Sequence, residues 1–179
     1  MTGWDDIDRM LSTAGDYQAD AERLEASLVS SAWGGYVLRL LQFEILLKAL
    51  RKVHGLTLRK DHGYWAMFDG LPDHVQSEVH ALARDRVRSS SMFDDLKGLL
   101  ETYSGNFIRC RYAYEEYQGM TQASVEARAD AWFASGARVE DADFRFYPSE
   151  LFGMSWAIAR VIEQARPSDR SSNEREGAT

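Results

Sequence analysis

The chain has 179 residues and a mass of 20.3 kDa, which suits one domain that can bury a sizeable core without disulfides or a structural metal. Its formal net charge of −7 provides no general attraction to nucleic acid or to an anionic membrane, so phosphate recognition would need a local cluster of Arg and Lys. Cys110 is the only cysteine, which excludes an intrachain disulfide and a metal site built from several cysteines of one chain.

Two helical patterns precede the most apolar part of the chain. A short N-terminal helix that ends near Gly15 is predicted by apolar residues at helical spacing, which are Trp4, Ile7, Met10 and Leu11. A second helix is expected from Asp16. Gly34 and Gly35 should end this second helix and form a tight reversal.

The stretch from Tyr36 to His54, YVLRLLQFEILLKALRKVH, is predicted to be the central helix. Wound at about 100° per residue, its apolar side chains cover well over half of the circumference. They leave a narrow polar strip, which comprises Glu44, Lys48, Arg51 and Lys52. A helix with so wide an apolar surface must be surrounded by other helices. Charged residues interrupt this stretch before it could span a bilayer, and the N-terminal sequence lacks the pattern of a secretion signal. We therefore expect a cytoplasmic protein without a membrane partner.

Three helix starts are predicted in the middle of the chain. Asp61 can cap a short aromatic-rich helix, and Pro72 suits the first position of the next one. Ser91 and Asp94 form a capping-box pattern before a further helix. The sequence Ser104-Gly105-Asn106 is expected to weaken that helix near its end.

The last third of the chain has two further helical patterns. Residues 121–135 are predicted to be a helix with four inward apolar side chains, which are Val125, Ala129, Trp132 and Phe133. Ser149 can cap a final helix that Pro167 ends. The whole pattern predicts an all-α bundle of about five to seven helices. Residues 1–166 should form a single domain, and residues 167–179, which contain almost no apolar side chain, a disordered tail.

Three motifs combine charge and aromatic residues in a distinctive order. They are FEILLKAL in the central helix, HGYWAMFDGLP beginning at His62, and RYAYE beginning at Arg111. This order and spacing resembles the HEPN-like helical domains of bacteria over roughly residues 36–116. In that family the second motif has the form His-Asp-Leu-x-x-Leu-Phe followed by Leu-Pro, and here Gly63 and Tyr64 replace its Asp and Leu.

The resemblance implies an up-and-down helical bundle that pairs as a homodimer. It also implies a role in phage defence or in a toxin–antitoxin system, with a cognate antitoxin or another defence protein as a partner. Many members of the superfamily cleave RNA, and others only bind nucleotides or proteins. The usual ribonuclease signature, an Arg followed after four to six residues by a His, is absent around all four histidines of this chain.

These motifs predict a polar pocket in which the charged strip of the central helix meets His62 and the RYAYE segment. The residues expected to bind RNA or a nucleotide there are Glu44, Lys48, Tyr112, Tyr114 and Glu115. In an alternative interpretation the protein is a metal-independent ribonuclease, with His62 as the base near the 2′-hydroxyl and Arg111 on the phosphate. A further alternative is a non-catalytic dimerisation module. No cofactor or metal is expected.

Structural roles for the same residues remain open. His62 could hydrogen-bond the RYAYE segment and hold the bundle closed. Glu44 and Lys48 could form a half-buried ion pair that Arg111 and Glu115 complete. Four tyrosines could stack a base or belong to the core with their hydroxyls at its rim, and these are Tyr103, Tyr112, Tyr114 and Tyr117. Cys110 is expected to be a buried, inert thiol.

Overall fold

The computed structural model describes residues 3–27, 32–58, 60–88, 90–142 and 144–167, and this part contains helices and no strands. The seven α-helices are α1 (Trp4–Glu25), α2 (Ala32–Val53), α3 (Tyr64–Asp69), α4 (Asp73–Arg86), α5 (Leu96–Arg111), α6 (Gln122–Ala134) and α7 (Pro148–Gln164). Three short 3₁₀ helices span Ser91–Asp95, Ala113–Tyr117 and Val139–Asp141. The prediction of an all-α bundle is confirmed.

Helix α2 forms the centre of the bundle, as its composition predicted. It packs against α1, α3, α5 and α7, and α4 packs against α7. Its fully buried side chains include Leu40, Phe43, Leu47 and Leu50. Burial of each such side chain stabilises the fold by about 1.5–3 kcal/mol, so α2 provides a large share of the hydrophobic free energy. It therefore provides a rigid base for the polar residues on its remaining strip.

The two helices predicted before residue 35 are in fact one helix, α1, and the predicted reversal at Gly34 and Gly35 is wrong. Gly15 lies within α1, since a single glycine weakens a helix by only about 1 kcal/mol relative to alanine. Gly34 and Gly35 lie in the first turn of α2. A Cβ atom on Gly35 would lie 3.1 Å from Cγ of Glu25. The glycine pair therefore permits close approach of α1 and α2, and the connection precedes it.

The starts of the middle helices differ in detail from the prediction. The carboxylate of Asp61 accepts the backbone N–H of Gly63 at 3.2 Å, but no side chain caps α3 itself. The capping box predicted at Ser91 is wrong, since Ser90 caps the 3₁₀ turn and Asp95 accepts the N–H of Gly98 at 2.9 Å. Capping positions one residue apart have similar sequence patterns, so only the backbone geometry separates them.

Helix α5 continues through Ser104-Gly105-Asn106 because its polar side chains find partners there. Ser104 Oγ donates to the carbonyl of Leu100 at 3.0 Å. The buried amide of Asn106 donates to the hydroxyl of Tyr36 at 3.1 Å and to the carbonyl of Arg145 at 2.8 Å. These bonds link α5 to α2 and to the chain before α7. The segment that was expected to weaken the helix therefore holds α5 in the core.

Helix α6 exists as predicted, but its apolar face is not inward. None of its residues is buried, and Phe133 is 66% exposed. Periodicity shows which side chains share a face and does not show whether another element covers that face. Helix α7 buries the predicted stripe, and Tyr147 rather than Ser149 precedes its first residue. Of the predicted tail, residues 168–179 lie outside the described part of the chain.

Candidate functional site

The carboxylate of Glu44 is the centre of a polar cluster between α2 and α3. Nζ of Lys48 donates to its Oε1 at 2.7 Å, and Nδ1 of His62 lies 2.7 Å from its Oε2. The hydroxyl of Tyr64 donates to Oε2 at 3.3 Å. The Glu44 side chain is only 9% exposed. The Lys48 ammonium, the His62 imidazole and the Tyr64 hydroxyl together offset the free-energy cost of removing this carboxylate from water.

His62 is held by one ring nitrogen and leaves the other available. Its Nδ1 faces Glu44, and the side chain is 36% exposed. Its ring packs on Phe107 with a centroid distance of 4.6 Å. No hydrogen bond from Nε2 to any described residue is present. An imidazole oriented by a carboxylate, with the second nitrogen accessible, has the arrangement that acid–base chemistry requires.

Tyr64 connects this cluster to the core and remains neutral. Burial, followed by the charge and the hydrogen bond of Glu44, holds the pKa of its hydroxyl far above the ordinary value. Its backbone N–H donates to Ser104 Oγ at 3.0 Å, and its ring packs against Phe43 and Phe107. One residue thus fixes α3 against both α2 and α5. As the first residue of α3, Tyr64 also positions the nearby His62.

Arg111 lies beside the Glu44 cluster, where its guanidinium packs on Phe107. Its guanidinium carbon lies 4.3 Å from the centroid of the Phe107 ring and 5.5 Å from that of Tyr112. No carboxylate among the described residues forms an ion pair with it. Phe107 therefore contacts both the imidazole and a guanidinium that has no carboxylate partner in the described ranges.

The remaining predicted site residues lie farther from the cluster. Tyr112 is exposed beside Arg111, whereas Tyr114 is 71% exposed on the 3₁₀ helix Ala113–Tyr117. The hydroxyl of Tyr114 donates to Glu115 at 3.2 Å. No hydrogen bond or ion pair joins Tyr114 or Glu115 to the Glu44 cluster in the described structure.

Two structural interpretations of these residues need correction. The ion pair of Glu44 and Lys48 is completed by His62, and neither Arg111 nor Glu115 contributes to it. Of the four tyrosines considered, Tyr103 is fully buried and belongs to the core, whereas Tyr112, Tyr114 and Tyr117 are exposed. Their exposure follows from the end of α5 at Arg111, after which the chain leaves the packed bundle.

Cys110 is buried, as expected. Burial raises the pKa of its thiol to about 12, although the charge of Arg109 acts in the opposite direction. A thiol with so high a pKa remains protonated near neutral pH and is a poor nucleophile. Arg109 itself forms a two-point ion pair with Glu116, with both N–O distances at 2.6 Å.

The sequence did not indicate the roles of Tyr64 and Phe107 in this site. Both have the spacing of core residues, and both are buried. One signal was available for Tyr64, because a buried tyrosine generally needs a hydrogen-bond partner. The nearest polar strip in the predicted bundle was that of Glu44. Phe107 gave no signal beyond its helical spacing.

Within the described ranges, no group of three or more His, Cys, Asp or Glu side chains could hold a metal ion. Nor is any described helix both long enough and apolar enough to cross a membrane. Comparison of the chain with models of known protein families, with characterised proteins and with solved structures finds no match. The HEPN-like assignment therefore depends on the three sequence motifs alone and stays a prediction.

Proposed function

We propose that this protein binds RNA or a nucleotide at the surface formed by the Glu44 cluster and Arg111. The observation that supports this most directly is the contact of one ring, Phe107, with both the carboxylate-held imidazole of His62 and the guanidinium of Arg111. A phosphate bound by the guanidinium would lie close to the ring that also contacts the imidazole.

The charge of the cluster favours Arg111 as the phosphate-binding group. Lys48 already bonds to Glu44, so its charge is largely compensated. Arg111 has no such partner among the residues that the structure describes, and a guanidinium can bind two phosphate oxygens at once. Tyr112 is exposed beside it and offers a ring on which an unpaired base can stack. Because the chain has a net charge of −7, binding should be local and weakened by salt.

Fluorescence anisotropy with a short labelled single-stranded RNA tests this proposal, with ATP and GTP as competitors. Arg111→Gln should weaken binding by about tenfold or more, since hydrogen bonds to charged groups contribute about 1.5–3 kcal/mol. Arg23→Gln is the matched control, because Arg23 is exposed on α1 and pairs only locally with Asp20. The same loss in both variants, or no binding by the unmodified protein at low salt, would contradict the proposal.

A second candidate function, metal-independent cleavage of RNA, is favoured by Nε2 of His62, which has no hydrogen-bond partner among the described residues. In this reaction Nε2 would take the proton of a 2′-hydroxyl, the 2′-oxygen would attack the adjacent phosphorus, and the 5′-oxygen would leave with a proton from water. The products would be a 2′,3′-cyclic phosphate and a 5′-hydroxyl end. Glu44 would stabilise the imidazolium, and Arg111 the developing phosphorane charge.

Incubation with RNA in the presence of EDTA tests this activity. Cleavage should be lost in His62→Ala, and an RNA with a single 2′-deoxy position should resist cutting at that position. Glu44→Gln should reduce the rate less than His62→Ala, because it alters only the orientation and charge support of the ring. Cleavage that persists in His62→Ala would exclude the proposed base.

The biological setting of these proposals comes from the HEPN resemblance alone. It suggests a phage-defence or toxin–antitoxin role, with a cognate antitoxin or defence protein as partner. It also suggests a homodimer, and the alternative is a purely non-catalytic dimerisation module. Light scattering at micromolar concentration measures the homodimer directly, and a monomer throughout that range would remove the dimerisation proposal.

A further inference from the structure

A cavity of about 920 Å³ lies outside the Glu44 cluster. It opens between the C-terminal ends of α1 and α4, the first turns of α2 and the start of α7. None of its lining residues belongs to the Glu44 cluster. Its volume falls in the range of pockets that hold small organic molecules.

Close helix packing on both sides defines this cavity. At Gly35 a Cβ atom would meet Glu25 of α1, and at Gly153 it would meet the side chain of Val87 at the end of α4. The absence of a side chain at these two positions therefore lets α1 approach α2, and α4 approach α7, closely beside the cavity. Tyr36 forms part of its surface, and the hydroxyl of Tyr36 accepts a hydrogen bond from Asn106.

Several exposed apolar side chains of the protein face this one cavity. Leu24, Phe146 and Phe152 all line it, and each is about 40% exposed. Single exposed apolar side chains are normal on a protein surface, whereas several around one concave site mark a place where apolar matter binds. The body of a ligand here would therefore be apolar.

The cationic side chains of the cavity differ in how far their charge is compensated. Arg39 donates to both carboxylate oxygens of Glu25, at 3.1 and 2.8 Å. Arg86 lies over the rings of Phe152 and Trp156, at 5.5 and 5.4 Å. No carboxylate in the described part of the chain forms an ion pair with it. A guanidinium stacked on aromatic rings is oriented by them and keeps its N–H donors for another partner.

We infer that this cavity binds a small organic carboxylate with an apolar aromatic or aliphatic body. Arg86 binds the carboxylate, and Phe146, Phe152 and Leu24 contact the body. The charges favour an anion, since Arg39, Arg86 and Arg88 line the cavity and Glu25 is the only carboxylate among the described lining residues. This site is independent of the proposed RNA-binding surface.

Fluorescence of anilinonaphthalene sulfonate, an apolar anion, provides a direct measure of occupancy in the full chain. Decanoate should displace this probe, and decanol, which has the same chain without the charge, should displace it at least about tenfold less well. Arg86→Gln should weaken decanoate binding by about tenfold or more and leave decanol unchanged. The matched control is Arg84→Gln on the same helix, because Arg84 pairs with Asp94 and does not line the cavity.

Circular dichroism should show that all variants are folded before titration, and Phe146→Ala should weaken decanoate and decanol together. His62→Ala and Arg111→Ala should leave decanoate binding unchanged, which separates this site from the proposed RNA surface. The inference is overturned if the probe does not bind the folded protein, if decanoate and decanol compete equally, or if both arginine variants lose affinity to the same extent.

Discussion

Replacement of Glu44 by alanine should destabilise the protein more than any other single change in the polar cluster. The carboxylate receives hydrogen bonds or an ion pair from Lys48, His62 and Tyr64, on two different helices and the loop between them. Its removal leaves the half-buried ammonium of Lys48 without a counter-charge. It also leaves the buried hydroxyl of Tyr64 with only the carbonyl of Leu40, at 3.4 Å.

The expected magnitude follows from the burial of each group. Removal of one partner of a buried ion pair costs about 3–5 kcal/mol. The side chains of Lys48 and His62 are 20% and 36% exposed and can regain water. We therefore expect Glu44→Ala to lower the free energy of unfolding by about 3 kcal/mol, the lower limit of that range. Glu44→Gln keeps the shape and one acceptor, so its cost should be about half as large.

Circular dichroism at neutral pH measures this loss in two ways: urea unfolding gives the free energy of unfolding, and heating gives the melting temperature. For a chain of this length each kcal/mol lowers the melting temperature by about 2–4 °C, so Glu44→Ala should melt about 6–12 °C lower. Glu101→Ala on α5 is the control, because Glu101 is exposed and lies 3.9 Å from its partner Lys97. Its stability should change by at most about 0.5 kcal/mol.

A loss below about 1 kcal/mol in Glu44→Ala would refute the reasoning. It would mean that the carboxylate is not needed to hold α3 against α2. In that case the orientation of His62 would have to come from its contact with Phe107 instead. Tyr64→Phe gives a second check, since removal of the hydroxyl should cost only about 1 kcal/mol.

Two further predictions concern packing and pH. Gly153→Ala should lower the free energy of unfolding in urea by about 1–3 kcal/mol, because its Cβ would meet Val87, whereas Gly105→Ala in open space on α5 should raise it by about 0.5–1 kcal/mol. Stability should also fall as pH rises above about 10, because the unfolded chain then releases tyrosine protons that the folded chain keeps. Absorbance at 295 nm should rise in two stages, with a late stage from the buried tyrosines whose pKa is raised by desolvation, Tyr36, Tyr64 and Tyr103.

Each of these predictions has a contrary result. Equal effects of alanine at Gly153 and Gly105 would show that α4 and α7 are not in close contact at Val87. Ionisation of all eight tyrosines in one step near pH 10, with the protein still folded, would show that the three buried hydroxyls are accessible to water.

The polar cluster could be predicted in part because some of its geometry is local. Glu44 and Lys48 are four residues apart on a helix, and this spacing places them side by side wherever the helix packs. His62 was placed beside them from the order of the motifs, and the structure brings it to Glu44. Tyr114 and Glu115 were expected in the same pocket, but their position depends on where α5 ends, which no local pattern specifies.

The errors in the helical assignment have a common physical origin. A glycine within a helix and a glycine at its end have similar sequence surroundings. Which of the two occurs depends on the element that packs against the glycine. Gly35 faces α1 at close range, so it is explained by packing between helices. The apolar face of α6 is periodic like that of α7, yet only α7 is covered by other helices. Such features depend on tertiary contacts, which a single sequence does not display.

The structure of the cluster also limits which variants can separate stability from function. Glu44 orients His62 and at the same time satisfies Tyr64, so a loss of activity in Glu44→Ala could result from unfolding of α3. Arg111 lies over the face of Phe107 and forms no hydrogen bond or ion pair with the cluster in the described part of the chain, and His62 is partly exposed. Substitution of either residue should therefore change binding or catalysis while the bundle remains folded. For this reason His62 and Arg111, rather than the more buried Glu44, are the positions at which the proposed chemistry can be tested without ambiguity.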